Sequence, residues 1–225
     1  MFFRLPEGTS EQAFEKLSMT ERRKRIIERA AGVIYRQGFG ATTIADILDA
    51  AGVGKGNFYH YFEGKQDFGL AIIDGLGHEI GGIDLDEVFS TMKPPLRRLS
   101  DYLDILSKAR KADESADPLC TLASELGSTQ PYADRLKAAF AGLVDRFEAL
   151  VAEYAMEMRS SVDAHRLSRI VIAQIHGLCV QYKVDRDAAG FDAGIAAVAT
   201  LLTGAVGAGA PSTVVKSEER ANAGG

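Results

Sequence analysis

The sequence predicts an all-α protein in which an N-terminal helix-turn-helix precedes a larger helical body. Apolar residues recur at spacings of three and four along most of the 225 residues, and no segment shows a convincing alternation of apolar and polar residues. Two short helical segments joined by a three-residue turn lie near the N-terminus. The composition, 46% hydrophobic and 25% charged, is typical of a globular domain.

The first 80 residues divide into four predicted helices. Ser18 and Glu21 have the spacing of a capping box, and Gly38 follows the helix that they begin. Thr42 or Thr43 precedes the next helix as its N-cap residue. The predicted helices span 18–37, 44–50, 55–61 and 65–80, and we interpret residues 1–17 as a flexible arm.

The rest of the chain is also predicted to be helical. Pro95, Pro118 and Pro131 each open a helix, because proline fits the first helical turn. After Thr203 the composition changes to Gly, Ala, Ser and charged residues, which predicts a disordered tail over 204–225. Helices are expected over 84–91, 95–112, 118–126, 131–154, 163–184 and 191–203, with a polar loop at 113–117.

Several classes of function are excluded at this stage. No apolar run approaches the roughly 18 residues of a membrane span, and the N-terminus has no signal-peptide core, so we expect a cytoplasmic protein without a membrane partner. The two cysteines and four histidines lack metal-ligand spacing, so no metal or cofactor is expected. The glycines from Gly52 to Gly56 resemble a phosphate loop, but they lie between helices and the Ser or Thr of that motif is missing. We therefore do not expect an enzyme.

The charge is distributed unevenly along the chain. The net charge is −5, yet residues 20–65 hold eight Lys or Arg against five Asp or Glu, whereas residues 66–225 hold sixteen against 23. A basic segment ahead of an acidic body indicates that only the N-terminal part meets an anion. The cluster Arg22–Arg25 is either a solvated helix face or a phosphate contact.

The helix-turn-helix has a buried side and an exposed side. Phe58 and Phe62 are expected in the core, and Gly52 lies where the turn needs a positive φ. Lys and Asn side chains can donate to base edges, and Tyr, His and Lys can bind phosphate. Apolar residues predicted to lock the two helices together are Ile47, Leu48, Val53, Phe58 and Phe62, and the predicted exposed residues are Lys55, Asn57, Tyr59, His60 and Tyr61.

Residues 20–73 resemble the N-terminal domain of TetR-type transcriptional repressors. The resemblance rests on TIADI at 43–47, AGVGKGNFYHYF at 51–62 and Lys65, with Gly54 standing where the family commonly has Ser or Thr. It implies a DNA-binding domain over 18–64 and an effector-binding and dimerisation domain over 65–203. The DNA-binding residues that it implies are Thr43, Lys55, Gly56, Asn57, Tyr59, His60, Tyr61 and Lys65, although Tyr59 and Tyr61 could instead be aromatic core residues.

The resemblance also implies a homodimer that binds a palindromic double-stranded operator and is released by a small-molecule effector. The last two long helices carry apolar stripes that either form the dimer interface or face the core of the protomer. Ala173 and Gly177 are small enough for close helix approach. The stripes comprise Leu167, Val171, Gln174 and Leu178, and Phe191, Ile195, Val198 and Leu202. The alternative function is a helical protein-binding adaptor that does not bind DNA.

A narrower resemblance connects Lys55–Ile73 and the segment Leu119–Leu126 to a branch with N-ethylmaleimide-responsive and acrylate-responsive repressors. It implies that Cys120 lies near the effector pocket, where a thiolate could sense electrophiles or oxidants. The alternative is a small buried core residue, and Cys179 is expected to be structural. Further candidates for the pocket are Tyr102, Leu106, Phe140, Phe147 and His176.

Overall fold

The computed structural model describes residues 17–80, 83–111 and 118–208, and almost all of the described chain is helical. The predicted loop at 113–117 and nearly all of the predicted arm lie outside these ranges. A two-stranded antiparallel pair, Glu79–Ile80 with Ile83–Asp84, was not predicted. The helices are α1 (Met19–Gln37), α2 (Ile44–Ala51), α3 (Lys55–Tyr61), α4 (Lys65–Leu76), α5 (Leu85–Val88), α6 (Pro95–Lys111), α7 (Pro118–Leu126), α8 (Tyr132–Glu157), α9 (Ala164–Asp185) and α10 (Ala188–Ala208).

The predicted helix signals at the N-terminal end are confirmed. Ser18 and Glu21 form a reciprocal capping box at the start of α1, and Gly38 with φ 90° ends this helix. Thr43, not Thr42, caps α2 through the same kind of reciprocal bond with Asp46. Gly52 has φ 65°, the left-handed conformation that its turn was predicted to require.

The last helix is longer than the sequence predicts. It continues to Ala208, so residues 204–208 are helical and not part of a disordered tail; the remainder of the predicted tail lies outside the described residues. The helix continues because Val206, one turn beyond Leu202, is completely buried. The apolar stripe thus extends past the point at which the composition changes. Within the described ranges, α10 is also the one helix long and apolar enough to cross a membrane, by length and composition only. The expectation that no apolar run approaches this length is thus corrected.

Two hydrophobic cores divide the protein, and α8 contributes to both. The N-terminal core joins α1–α4 with α7 and the first part of α8, including Leu136. The C-terminal core joins α5, α6, α9 and α10 with the rest of α8, including Phe147. Phe68 and Ile72 place α4 within the N-terminal core, so packing continues across the predicted domain boundary at 64/65.

The predicted dimer stripes face the core of the protomer. Leu178, which is half-buried, packs so closely on α10 that a Cβ at Gly194 would clash with its Cδ2. Gln174 alone of the eight is exposed. Of the two interpretations of these stripes, the structure supports the one in which they face the core of the protomer. The interpretation of the buried residues as a dimer interface is corrected. The residues that the structure buries within the protomer are Leu167, Val171, Phe191, Ile195, Val198 and Leu202.

Candidate nucleic-acid interface

The buried side of α3 is an aromatic cluster. Phe58 and Phe62 are at most 1% exposed, and their ring centroids lie 5.1 Å apart. Phe68 of α4 packs against both rings, with centroid distances of 5.8 Å to Phe58 and 5.0 Å to Phe62. Such ring pairs stabilise a fixed orientation beyond their contribution to burial. The cluster therefore holds α3 on α4 and turns the opposite face of α3 to solvent.

The outer face of α3 presents polar side chains. Lys55, Gly56 and His60 are exposed, Tyr59 is 47% exposed and Asn57 is half-buried. Lys55 forms no ion pair or hydrogen bond with any described residue. This lysine also lies in the first turn of its helix, where the helix dipole is unfavourable to a cation. An unpartnered cation at this position costs the fold a little stability and is available to an anionic partner.

Tyr61 is half-buried, like Asn57, and its side chain packs against the N-terminal core. Its ring meets the His60 imidazole edge-on, with 4.9 Å between ring centroids. The Nε2 atom of His60 lies 3.3 Å from the Met19 sulfur at the start of α1. Tyr61 therefore supports His60 from behind, and only part of Tyr61 is left for another partner.

Thr43 and Lys65 frame the N-terminal end of α2. The exposed Thr43 hydroxyl accepts a bond from the Asp46 N–H at 3.2 Å and donates to the Asp46 carboxylate at 2.8 Å. Bonds from the backbone N–H and then the hydroxyl of Thr43 lower the pKa of Asp46. The Lys65 ammonium donates to the Gly40 carbonyl at 3.2 Å and lies 4.6 Å from the centroid of the Phe39 ring. Both side chains thus have a structural role at this edge.

The basic cluster of α1 is largely bound to the rest of the protein. Arg23 pairs with Asp67 at 3.5 Å and lies over the Phe62 ring, while Lys24 pairs with Glu79 at 2.8 Å. These contacts join α1 to α4 and to the first strand. Their charges were visible in the sequence, but their partners lie 44 and 55 residues away along the chain.

Two contacts of the helix-turn-helix were not predicted at all. Arg29 of α1 donates to the carbonyl of Ala51 at the end of α2, at 3.1 Å. The carboxylate of Glu125, on α7, accepts a bond from the Gly40 N–H at 3.2 Å. It also lies against Gly38, where an added Cβ would be 2.9 Å from Glu125 Oε1. The loop after α1 is therefore held by α7, and Gly38 is needed for a close approach as well as for its positive φ.

The six predicted effector residues line none of the three clefts described for residues 17–80, 83–111 and 118–208. Phe140 and His176 are in edge-on ring contact at 5.2 Å. Cys120 is half-buried on α7. The candidates that lie deep in the C-terminal core are Tyr102, Leu106 and Phe147.

The described residues include no group of three or more His, Cys, Asp or Glu side chains placed to hold a metal ion.

Comparison with known proteins agrees with this geometry. The family described as "Bacterial regulatory proteins, tetR family" matches residues 26–72. The chain is 29% identical over 177 residues to an uncharacterized HTH-type transcriptional regulator in the lacX 3' region of Lactococcus lactis subsp. lactis, covering 77% of this chain and 89% of that protein. It is 30% identical over 130 residues to the transcriptional regulator AcuR of Cereibacter sphaeroides, covering 56% of this chain and 58% of AcuR. The crystal structure of reduced E. coli NemR superposes with a TM-score of 0.61 at 19% identity, over 78% of this chain and 94% of NemR.

These matches differ in what they establish. At 19% identity the likeness to NemR concerns the fold, so the narrower branch is only loosely supported. The family match runs from Ile26 in α1 to Ile72 in α4 and thus covers the whole helix-turn-helix, including the exposed face of α3. The full-length relative is itself a helix-turn-helix transcriptional regulator. The helix-turn-helix segment therefore matches the TetR family of bacterial transcriptional regulators, and the relative that spans most of the chain supports a TetR-type regulator.

Proposed function

We propose that this protein is a cytoplasmic transcriptional repressor that binds a palindromic operator as a homodimer and is released by a small-molecule effector. The observation that carries the proposal is the two-sided character of α3. Phe58 is fixed in the core, while Lys55, Tyr59 and His60 are exposed on the opposite face. Lys55 has no packing role within the described residues. A helix anchored in this way fits the major groove of duplex DNA, which admits one α-helix.

The predicted DNA-binding residues have different roles in this proposal. Asn57 reaches base edges, since an amide can both donate and accept there. Lys55, Tyr59 and His60 bind phosphate or base edges, while Gly56 lets the backbone lie close to the groove. Thr43 and Lys65 bind phosphate at the edge of the site, in addition to their bonds within the protein, and Tyr61 contributes mainly by supporting His60.

The homodimer uses the faces of α9 and α10 that point away from the core of the protomer. Four large apolar side chains remain about half exposed or more there: Ile170 51%, Val180 49%, Val184 83% and Leu201 55%. Ala173 and Gly177, predicted to allow close helix approach, are on the same exposed face of α9. Two copies of this helix pair form a four-helix bundle across a two-fold axis, which places two α3 helices on one side of the DNA.

The effector acts through α7 in this proposal. Cys120 lies five residues before Glu125, which holds the loop after α1. One turn before Glu125 on α7, the Thr121 hydroxyl accepts a bond from Lys183 of α9 at 3.4 Å. A ligand that moves α7 therefore changes the support of the helix-turn-helix. Because operator and effector are then coupled, each must weaken the binding of the other by the same factor.

A binding titration tests the function. The protein is titrated with promoter DNA flanking its own gene at two salt concentrations, with and without thiol alkylation. Tight binding that weakens steeply with salt supports the repressor, because neutralised phosphates release counterions. Loss of binding on alkylation, with protection in Cys120→Ser, supports a thiol sensor, whereas indifference to alkylation directs the search to non-covalent effectors. Absence of binding to this DNA and to random operator libraries contradicts the proposal and favours the protein-binding adaptor.

A further inference from the structure

A cleft of about 390 Å³ lies between α1 and α4, and its lining includes no residue of α3 and none of the predicted effector residues. Its walls are mainly apolar and include Ile27 of α1 and Ile72 and Leu76 of α4. Pockets that bind small organic molecules have volumes of about 300 to 1,000 Å³, with apolar walls and a few polar groups. This cleft has the size and the lining of such a pocket.

The polar group that stands out in the cleft is the carboxylate of Glu28. The Glu28 side chain is 21% exposed, and its nearest cation is the Lys24 ammonium at 3.9 Å. That ammonium donates to Glu79 at 2.8 Å instead. No described residue donates a hydrogen bond to Glu28. Burial raises the pKa of Glu28 and outweighs the positive charges nearby, as expected for a partly desolvated carboxylate.

The charges around the cleft favour a cation over an anion. Three carboxylates line it, those of Glu28, Asp74 and Glu79, against the two cationic side chains of Arg23 and Lys24. Both cations already have partners in Asp67 and Glu79. An anion would meet no lysine or arginine of the lining that lacks a partner, whereas an ammonium group would give Glu28 the charged hydrogen bond that it lacks.

We propose that the α1–α4 cleft binds an amphiphilic organic cation, whose ammonium group pairs with Glu28 and whose apolar body lies between Ile27 and Leu76. This site is distinct from the operator-binding face and from the predicted effector residues. Its occupation requires no DNA, so it can be tested whether or not the protein binds an operator.

The test is calorimetric titration of the full chain with three probes of equal length: octylammonium, octanol and octanoate. Octylammonium binds, octanol binds more weakly, and octanoate does not bind. Glu28→Gln keeps the shape of the side chain but removes its charge, so the affinity for octylammonium falls about tenfold, as for the loss of a hydrogen bond to a charged group. The affinity for octanol is unchanged in this variant.

A second variant tests the position of the site. Gly75 lines the cleft within α4, and a Cβ there would have no heavy atom within 4 Å. Gly75→Leu therefore adds a side chain at the cleft without a clash at Cβ and abolishes binding of octylammonium and octanol alike. Glu157→Gln, at an exposed position on α8, is the matched control and binds like the parent, and thermal unfolding verifies that every variant is folded. Binding of octanoate as tight as that of octylammonium, or undiminished binding in folded Glu28→Gln or Gly75→Leu, overturns the proposal.

Discussion

Replacing Lys55 by alanine weakens operator binding without weakening the fold. The side chain is exposed and has no partner among the described residues, so its removal breaks no contact within them. Its place in the first turn of α3 predicts that the alanine variant unfolds at the same temperature or slightly higher, since a cation there opposes the helix dipole. A lysine that contacts one phosphate contributes about 0.9 to the slope of log affinity against log salt. With two recognition helices in a dimer, the slope becomes shallower by about 2.

The assay is fluorescence anisotropy with a labelled operator duplex at four or more salt concentrations. Lys137→Ala is the matched control, because Lys137 is an exposed lysine on α8 and its removal changes the net charge equally. Sedimentation establishes that both variants retain the mass of the dimer. Equal affinity of parent and Lys55→Ala refutes the assigned role. A weaker affinity with an unchanged salt slope refutes the phosphate contact and assigns Lys55 to a base edge.

Three further predictions concern the cap of α2, acid stability and the dimer. Thr43→Ala lowers the free energy of unfolding by about 1 kcal/mol in denaturant titration, whereas Thr43→Ser retains the cap. Hydrogen bonds from Arg146 lower the pKa of Asp86 below its ordinary 3.8. This pair therefore stabilises the fold above that pH, and its contribution disappears as the pH falls through the lowered pKa. In thermal unfolding measured against pH, Asp86→Asn loses this part of the acid sensitivity. Leu201→Glu yields a folded monomer in sedimentation, whereas Leu202→Ala stays dimeric and loses about 2 to 5 kcal/mol of stability; the opposite pattern contradicts the assignment of the two faces of α10.

The signals that predicted the helix-turn-helix are local. A capping box needs residues three apart, and a left-handed turn residue is marked by glycine, so α1, α2 and Gly52 could be placed from sequence alone. The bounds of α3 and the burial of Phe58 and Phe62 followed from helical spacing. The contact residues on the outer face came instead from the family resemblance, because exposure alone does not identify a partner.

The long-range contacts could not be predicted in the same way. The bond between Gly40 and Glu125 joins residues 85 apart, and neither residue type indicates the other. An apolar stripe shows that a helix face is buried but not which surface covers it, so Leu202 was assigned to a partner when its own protomer covers it. On the face that does point outward, Ala173 and Gly177 have little hydrophobic signal. Single large apolar residues such as Leu201 stand among small side chains on this face. An analysis of the spacing of apolar residues gives such isolated residues little weight.

The two cores constrain how an effector can act on DNA. Helix α8 runs unbroken for 26 residues, or about 39 Å, and its N-terminal part lies in the same core as α1–α4. Helix α7 packs in this core too, so on the proposed function an effector that moves α7 also tilts α8 and moves the helix-turn-helix as one body, without unfolding α3. A tilt of about 5° displaces one end of such a helix by about 3 Å relative to the other. In the proposed two-fold dimer the displacements are opposite, so the two α3 helices change separation by about 6 Å against a half-site spacing of about 34 Å. Because base contacts depend on hydrogen-bond distances that tolerate only a few tenths of an ångström, a tilt of this size is sufficient to release the operator.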